Sequence, residues 1–328
     1  MRSITFSILR ILSDSQIHSG AKLAQSLNCS RATISNALQG IEKYGVNLSR
    51  IRGCGYRWSN PICWLDKDLL VKYLSKDAPF FSLMLFDTIT STNSYLSNSF
   101  DNLLCTNKLI PVVVSELQTD GRGRRGRRWK TGLGDSLTFS ILWKFDQGAS
   151  SLSGLSLVIS LAIIRVLRGF SIQSIGLKWP NDVLLLTNKL AGTLVELRGE
   201  MCGPTYAVIG IGLNLKLSRI IKSHIDQPSS DLFLATGMQF DRNIVLAVLL
   251  SELRQVLIIF TQLGFSFFQD EWNSYHLYKD KHVILTLPDM TTIEGVVDNI
   301  NVDGSLNLVT PTGRKSFNVG DISLRLRA

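Results

Sequence analysis

The sequence has little cysteine, and its cysteines follow no pattern that predicts a bound metal. Five are present among 328 residues, and no two have the CxxC spacing of a zinc or redox site. We therefore expect no metal site built from protein side chains, and we expect reduced thiols in a cytoplasmic protein. The five positions are Cys29, Cys54, Cys63, Cys105 and Cys202.

Long uninterrupted apolar runs are also absent. The two most apolar segments, residues 152–167 and 244–260, contain serines or charges, and they predict buried helices rather than membrane spans. Residues 1–16 lack the long apolar stretch and the small-residue cleavage site of a signal peptide. The sequence thus predicts a cytoplasmic protein with no membrane partner. Apolar residues still make up 45 % of the chain, enough for the cores of two or three domains.

Positive charge is present in excess, but only in two places. The net charge is +9, of which residues 1–62 contribute +6 and residues 121–130 another +6. The rest of the chain is slightly acidic, at −3. The chain is therefore not generally basic, and each basic region needs its own explanation.

The first basic region has the pattern of a winged helix-turn-helix domain. Residues 4–12 and 21–27 have helical apolar spacing, and a short turn separates them from a helix that we expect from residue 31 to about Gly45. Residues 46–58 follow as a glycine-turned hairpin, which predicts the wing. Pro61 then interrupts the pattern, so we place the domain at residues 1–62.

The polar start of the third helix and the arginines of the wing indicate DNA binding. Short polar side chains and one cation at this helix could reach base edges in a major groove, and wing arginines suit phosphate contacts. The alternative is a small helical cap with a solvated basic face. The predicted DNA-binding residues are Ser30, Arg31, Thr33, Asn36, Arg50 and Arg52.

The remainder of the chain predicts an α/β domain followed by a small β domain. Apolar strands alternate with helices between residues 63 and 275, which predicts a mixed sheet layered with helices. A long helix capped by Asp241 or Asn243 should run to about Leu263 and stop at Gly264. Residues 276–328 change to period-two patterning with several turn signals, which predicts about five short strands in a small barrel.

The second basic region, "GRGRRGRRW" at residues 121–129, lies inside the α/β domain. A nucleic-acid arm, a localisation patch and a solvated loop are alternatives, but an arm normally occupies a terminus. Glycines let backbone N–H groups approach a phosphate, and arginines supply forked donors to oxyanions. We therefore favour an anion clamp, mobile when empty because its charges repel one another.

The motifs in this region resemble those of biotin protein ligases. "GRGRRGRRW", "KWPNDV" and "KLAGTLVE" occur in the order and spacing of that family, and "STN" at 91–93, "IGIGLN" at 209–214 and "ISLR" at 322–325 also fit. With a helix-turn-helix in front, the whole chain is similar to the bifunctional type that also represses the biotin operon.

The resemblance implies a two-step reaction. Biotin and ATP would form biotinyl-5′-AMP, and the biotinyl group would pass to a lysine of a biotin carboxyl carrier protein. It also implies Mg²⁺ with the ATP, an SH3-like C-terminal domain, operator DNA as a partner, and a homodimer when the adenylate is bound. Two alternatives remain: a DNA-binding regulator that only senses biotin, and a lipoyl ligase.

The resemblance also assigns residues by their match to the family motifs. Asp182 could accept a proton from the incoming lysine or could fix the turn. Biotin binding is implied for Ser91, Thr92, Asn93, Gln118, Gly121, Arg122, Arg124 and Lys189. Nucleotide binding is implied for Arg124, Trp129, Lys178 and Asn214, and catalysis for Arg124, Asp182 and Lys189.

Overall fold

The structure is a computed structural model of the chain, and it describes residues 1–106, 109–199, 203–318 and 322–326. Cys29, Cys54 and Cys63 are free thiols. Cys202 and the side chain of Cys105 lie outside the described residues. The expectation of reduced cysteines is therefore met at the three positions that the structure describes.

The N-terminal region is a winged helix-turn-helix, as predicted. Its core is formed by apolar side chains of all three helices, among them Phe6, Leu9, Leu23 and Ile34, each at most 1 % exposed. The two short strands pair antiparallel, with Ser49 opposite Arg57. The elements are α1 (Ser3–Ile11), α2 (Gly20–Ser26), α3 (Arg31–Ala37), β1 (Ser49–Ile51) and β2 (Gly55–Arg57).

The third helix is shorter than predicted. It ends at Ala37 rather than near Gly45, and a separate 3₁₀ turn follows at Ile41–Tyr44. Gly40 lies between them with φ 71°, a left-handed conformation that ends an α-helix and suits glycine. Ile41 remains buried at 2 % exposure, which explains why its apolar spacing suggested one continuous helix.

The central region is a seven-stranded mixed sheet layered with helices, as predicted. The strand order is β3-β4-β7-β11-β10-β9-β8, in which β3 and β4 are parallel and the other neighbours antiparallel. The strands of this sheet are β3 (Phe81–Ile89), β4 (Ile110–Gln118), β7 (Ser136–Phe145), β8 (Ile175–Lys178), β9 (Asp182–Leu185), β10 (Asn188–Gly199) and β11 (Thr205–Asn214). Two short strands, β5 (Gly121–Arg122) and β6 (Arg128–Trp129), form a separate hairpin. The helices are α4 (Lys67–Leu74), α5 (Thr92–Asn98), α6 (Phe100–Thr106), α7 (Leu155–Gly169), α8 (Arg219–Ser223), α9 (Leu232–Thr236), α10 (Arg242–Leu263) and α11 (Gln269–Ser274).

Two helices, α7 and α10, supply most of the helical side of the main core. Asp241 caps α10 by accepting from the backbone N–H of Asn243 at 2.8 Å, and Gly264 ends it with φ 67°, as predicted. The segments Ala149–Gly169 and Arg242–Leu263 are long and apolar enough to cross a membrane by length and composition. Both pack against the sheet in the main core, which accounts for their apolar character.

The C-terminal region is a five-stranded antiparallel sheet, in the order β15-β14-β13-β12-β16. Its edge strands do not pair with each other in the described residues, so closure into a barrel is not confirmed. Trp179 donates its indole N–H to the carbonyl of Gly304 at 3.1 Å, which joins this sheet to the central domain. The strands are β12 (His282–Thr286), β13 (Thr292–Ile300), β14 (Leu306–Thr310), β15 (Gly313–Phe317) and β16 (Ser323–Leu326).

The N-terminal and central regions share contacts on both sides of the predicted boundary at residue 62. Arg10 of α1 forms a bidentate ion pair with Asp87 of β3, at 2.5 and 3.1 Å. Trp64 donates to the hydroxyl of Ser13 at 2.7 Å. Leu133 of the central region is buried in the N-terminal core. The domain boundaries at residues 62 and 275 stay predictions. Neighbouring domains pack against each other at both junctions, so no flexible linker marks where one domain ends.

Asp135 lies where the N-terminal domain meets the central sheet. Its carboxylate accepts from the backbone N–H and the hydroxyl of Ser218, at 3.0 and 2.8 Å. Gly45 lies so close that a Cβ there would stand 2.6 Å from the Ser218 hydroxyl. Burial raises the pKa of Asp135 to about 6, because the ionised form loses its water.

We predict that Asp135→Asn removes a pH-dependent loss of stability. The folded pKa of about 6 lies above the ordinary value of 3.8, so ionisation destabilises the fold as pH rises from about 4 to 6. The asparagine oxygen still accepts from Ser218 but does not ionise. The variant should gain up to ~3 kcal/mol over wild type across this interval, measured by urea unfolding at pH 4.5 and 7.5. An unchanged difference between the two proteins at both pH values would contradict the assignment.

Candidate active site

A cavity of 480 Å³ opens beside the central sheet and brings the predicted ligase residues together. This volume is within the range of small-molecule sites. Of the predicted residues, Gly121 is not in its wall; it pairs with Trp129, whose carbonyl would stand 2.6 Å from a Cβ at this position. The predicted residues that line the cavity are Ser91, Thr92, Asn93, Gln118, Arg122, Arg124, Trp129, Lys178, Asp182, Lys189 and Asn214.

One end of the cavity is lined by neutral polar side chains. Thr92, in the first turn of α5, donates its backbone N–H and its hydroxyl to the side-chain carbonyl of Gln118, at 2.7 and 3.2 Å. The hydroxyl of Ser140 on β7 lies 2.6 Å from the Thr92 hydroxyl and 2.6 Å from the side-chain carbonyl oxygen of Asn93. Ser91 caps α5 through the N–H of Ser94. Sequence reasoning missed Ser140, because only the sheet places it under α5.

Two glycines of "IGIGLN" make room for site residues on the face of β11. A Cβ at Gly210 would stand 2.1 Å from the Asn93 carbonyl oxygen. A Cβ at Gly212 would stand 2.4 Å from the indole ring of Trp129. Alternating glycines inside a strand are a signal of close approach, which the sequence analysis used only as a family motif.

The arginine-rich segment folds over the cavity as a small hairpin, β5–β6, with a turn at Arg124–Gly126. No acid lies within the segment, yet acceptors from outside it contact its arginines. Arg122 pairs with Glu196 at 2.6 Å, and Arg128 pairs with Asp120 at 3.1 Å. The Arg124 guanidinium donates to the side-chain carbonyl oxygen of Asn181 at 3.2 Å. The repulsion expected within the segment is thus offset by neighbouring groups.

The two predicted lysines converge on Asp182. Lys189 of β10 lies 2.6 Å from one carboxylate oxygen of Asp182, and Lys178 of β8 lies 4.0 Å from the other. Three adjacent antiparallel strands therefore place two ammonium groups on either side of one carboxylate. Burial lowers the pKa of Lys178, because a buried ammonium loses hydration. Lys189 also lies 5.6 Å from the ring centre of Trp129.

Asn214 connects the far side of the cavity to the segment at residues 218–232. Its side chain accepts from the Ser136 hydroxyl and donates to the carbonyl of Ser230, each at 3.0 Å. Ser230 in turn donates its N–H to the carbonyl of Lys189 at 2.9 Å. The end of this segment therefore lies directly beside Lys189.

The C-terminal sheet also contributes to the cavity. Residues 322–325, at the start of and just before its last strand, line the wall, and Arg125 of the arginine segment approaches the Met290 sulfur at 3.9 Å. The sequence left the role of this domain open. Within the residues that the structure describes, no group of three or more His, Cys, Asp or Glu side chains is placed to hold a metal ion.

The predicted DNA-binding residues differ in how they are placed. Ser30 caps α3, accepting from the N–H of Thr33 at 3.0 Å, and its hydroxyl also contacts the Thr33 hydroxyl at 2.9 Å. Arg31 and Asn36 are exposed on the same helix. Arg50 donates to the carbonyl of Leu38 at 2.7 Å, which ties the wing to α3. Arg52 is exposed at the hairpin turn.

Comparison with known proteins matches both parts of the chain. Residues 85–214 match the biotin/lipoate A/B protein ligase family, and residues 5–57 match an HTH domain. The bifunctional ligase/repressor BirA of Salmonella typhimurium is 35 % identical over 323 residues, which cover 98 % of each chain. BirA of Escherichia coli is 33 % identical over the same shares.

A solved structure has the same fold over most of the chain. A biotin protein ligase from Aquifex aeolicus, determined in complex with biotin and ATP, superposes with a TM-score of 0.64 at 28 % identity. The match covers 75 % of this chain and 99 % of that one.

We predict that Gly212→Ala displaces Trp129, because the added methyl would overlap the indole ring. The tryptophan emission should shift to longer wavelength, and the shift should vanish in a Trp129→Phe background. Gly169→Ala is the matched control, since, apart from its chain neighbours and its own helix backbone, no described atom lies within 4 Å of a Cβ there. Identical emission spectra for Gly212→Ala and wild type would contradict the packing described.

Proposed function

The chain belongs to the family of bifunctional biotin ligase/repressors, and from that premise we propose how its cavity performs the two steps of ligation. The supporting observation is the placement of an uncharged polar pocket next to a group of cations. The pocket suits the neutral ureido ring of biotin, which offers both donors and an acceptor. The cations suit the carboxylate of biotin and the phosphates of ATP.

Biotin binds with its ring against the first turn of α5. Ser91, Thr92, Asn93 and Gln118 supply donors and acceptors around the ring, and the valeryl chain then extends toward the arginine segment. Its carboxylate meets Lys189. This orientation uses the polar end of the cavity for the neutral group and the cationic end for the charged one.

In the first step, a carboxylate oxygen of biotin attacks the α-phosphorus of ATP. A new C–O–P bond forms, the bond between the α-phosphorus and the bridging oxygen breaks, and pyrophosphate leaves. Both reactants are anions, so Lys189 and Arg124 act by offsetting their repulsion and stabilising the charge that develops. Trp129, Lys178 and Asn214 border the nucleotide.

Asp182 acts as a positioning residue in this scheme. Its carboxylate lies between the ammonium groups of Lys189 and Lys178, so both of its oxygens face cations. The sequence left open proton transfer and fixing of the turn; the contacts with both lysines favour a third role, orientation of Lys189.

In the second step, a lysine amine of a biotin carboxyl carrier protein attacks the carbonyl carbon of the adenylate. The C–N bond forms, the C–O bond to the phosphate breaks, AMP leaves, and the amine loses a proton to solvent. The mixed anhydride hydrolyses readily in water. The arginine hairpin covers the cavity, and we assign it the exclusion of water until the carrier arrives.

Magnesium would enter with ATP. Asp182 and Asp226, which line the cavity, and the neighbouring Glu196 are each paired with a cation. The donors that remain for the ion are phosphate oxygens, and a hard cation of this size is commonly held that way. When bound, it would neutralise phosphate charge.

The same chain represses transcription, and we propose that a homodimer binds operator DNA. Arg31, Asn36 and Arg52 are exposed where they would meet a groove and its phosphates. In the described part of the chain, β9 covers β10 only as far as Gly192, so the outer edge of residues 194–199 has no partner strand. Leu197 there is 43 % exposed, which suits edge-to-edge pairing. Carrier protein and operator place the protein in the cytoplasm.

We predict that Lys189→Ala slows adenylate formation about ten- to a hundredfold with the fold intact, because it removes a charge-assisted contact worth about 1.5–3 kcal/mol. Rapid-quench single turnover with labelled ATP measures the rate. Lys144→Ala, which removes an exposed lysine paired with Asp146, is the control. A single-turnover rate equal to that of wild type would remove Lys189 from the mechanism.

We predict that biotin with Mg-ATP promotes both dimerisation and operator binding. The bound adenylate would hold the cations of the arginine hairpin more firmly in place. Forming an interface next to the hairpin would then cost less conformational entropy. Two winged helices on one palindrome then bind as a unit. Sedimentation and mobility shift on the promoter of the biotin-synthesis genes, at one salt concentration, test this. Apo carrier should reverse both effects, and equal operator affinity with and without biotin and ATP would refute the switch.

A further inference from the structure

Glu196 is the last residue of the motif "KLAGTLVE", and it contacts two residues that line the cavity, but neither the resemblance nor the reaction assigns it a role. Its carboxylate accepts from the two terminal nitrogens of Arg122, at 2.6 and 3.1 Å. It also accepts from the side-chain amide of Asn93 at 2.8 Å. One carboxylate therefore holds two predicted biotin-binding residues from different elements.

The position of Glu196 is fixed by the sheet. It lies on the long strand β10 opposite Val208 of β11, beyond the last residue that β9 covers. From there its side chain reaches both the base of the arginine hairpin and the start of α5. The side chain is 28 % exposed, so water screens this interaction only in part.

Asn93 carries the connection into the interior. It is 3 % exposed, and it fits only because Gly210 has no side chain. Its carbonyl oxygen contacts the Ser140 hydroxyl, which also contacts Thr92. The chain of contacts thus runs from Arg122 through Glu196 and Asn93 to the polar end of the cavity.

We propose that Glu196 is a positioning residue that anchors the base of the arginine hairpin to the sheet and orients Asn93 toward biotin. The guanidinium of Arg122 is engaged by this carboxylate, so Arg122 serves as the anchor of the hairpin and offers the cavity its backbone N–H. Arg124 and Lys189 keep the roles toward the anions that are proposed above. The proposal rests on the proposed function, because it assigns the anchored hairpin to biotin binding.

The test is Glu196→Gln, which keeps the shape of the side chain and removes its charge. Glu252→Gln is the matched control: Glu252 accepts from Arg165 at 3.1 Å, is 21 % exposed and lies away from the cavity. Without the carboxylate of Glu196, we expect Arg122 and Asn93 to adopt the biotin-binding arrangement in a smaller fraction of molecules. The KM for biotin should rise about five- to tenfold while kcat changes less than twofold, because the groups around the phosphate remain.

Limited proteolysis reports on the hairpin directly, since trypsin cleaves after its arginines. Glu196→Gln should be cleaved within residues 122–128 several times faster than wild type or Glu252→Gln, and saturating biotin should reduce the difference. Thermal unfolding of each variant confirms that it is folded. Equal cleavage rates with an unchanged KM for biotin would overturn the proposal.

A double-mutant cycle with Arg122→Gln separates anchoring from a general effect of charge. If Glu196 acts through Arg122, the two substitutions disrupt the same contact. The KM for biotin of the double variant should then stay within about twofold of the KM of the worse single variant. Multiplicative effects would overturn the anchoring role. Wild-type protein that fails to ligate biotin would refute the proposed function itself, whereas active wild type with an inert Glu196→Gln would refute only this inference.

Discussion

Holding many cations over one small cavity is the constraint on which the rest of the site depends. Five arginines and a lysine occupy ten consecutive residues, and they would repel one another if left alone. The structure offsets this with acceptors from other elements: Glu196 for Arg122, Asp120 for Arg128 and Asn181 for Arg124. Asp182 does the same for Lys189. The sheet fixes these acceptors, and the positive charge is thereby directed at the space where two anionic substrates must meet.

The same sheet links catalysis to the DNA-binding domain. Arg10 of α1 forms an ion pair with Asp87, near the end of the strand that leads to Ser91. Asp135 accepts a hydrogen bond from Ser218, in the turn after Asn214, and Ser218 lies close to Gly45. At each end of the cavity, a residue that contacts the N-terminal domain therefore lies only a few positions along the chain from a residue of the cavity wall. The cavity is therefore joined through packed contacts to the domain that contains α3, the helix predicted to bind DNA.

The sequence predicted what depends on local pattern. Alternating strands, the caps of α10 and the helix-turn-helix follow from apolar spacing and end residues such as Asp241 and Gly264, and the predicted cavity residues follow from motifs. What it did not predict depends on long-range contact. Glu196 and Ser140 join the site only through strand register, and α3 stops early because Gly40 turns left-handed despite the buried Ile41 beyond it. The five period-two strands are present, but their closure into a barrel is not confirmed in the described residues, since pattern specifies strands but not closure.

All of the proposed chemistry depends on the activation of biotin as an acyl adenylate in this cavity. The most direct measurement is isotope exchange between pyrophosphate and ATP, which requires reversible adenylate formation but neither carrier protein nor DNA. We expect exchange that depends on biotin and Mg-ATP, that lipoate does not support, and that Lys189→Ala reduces in parallel with its single-turnover rate. No exchange with biotin, or equal exchange with lipoate, would contradict the account.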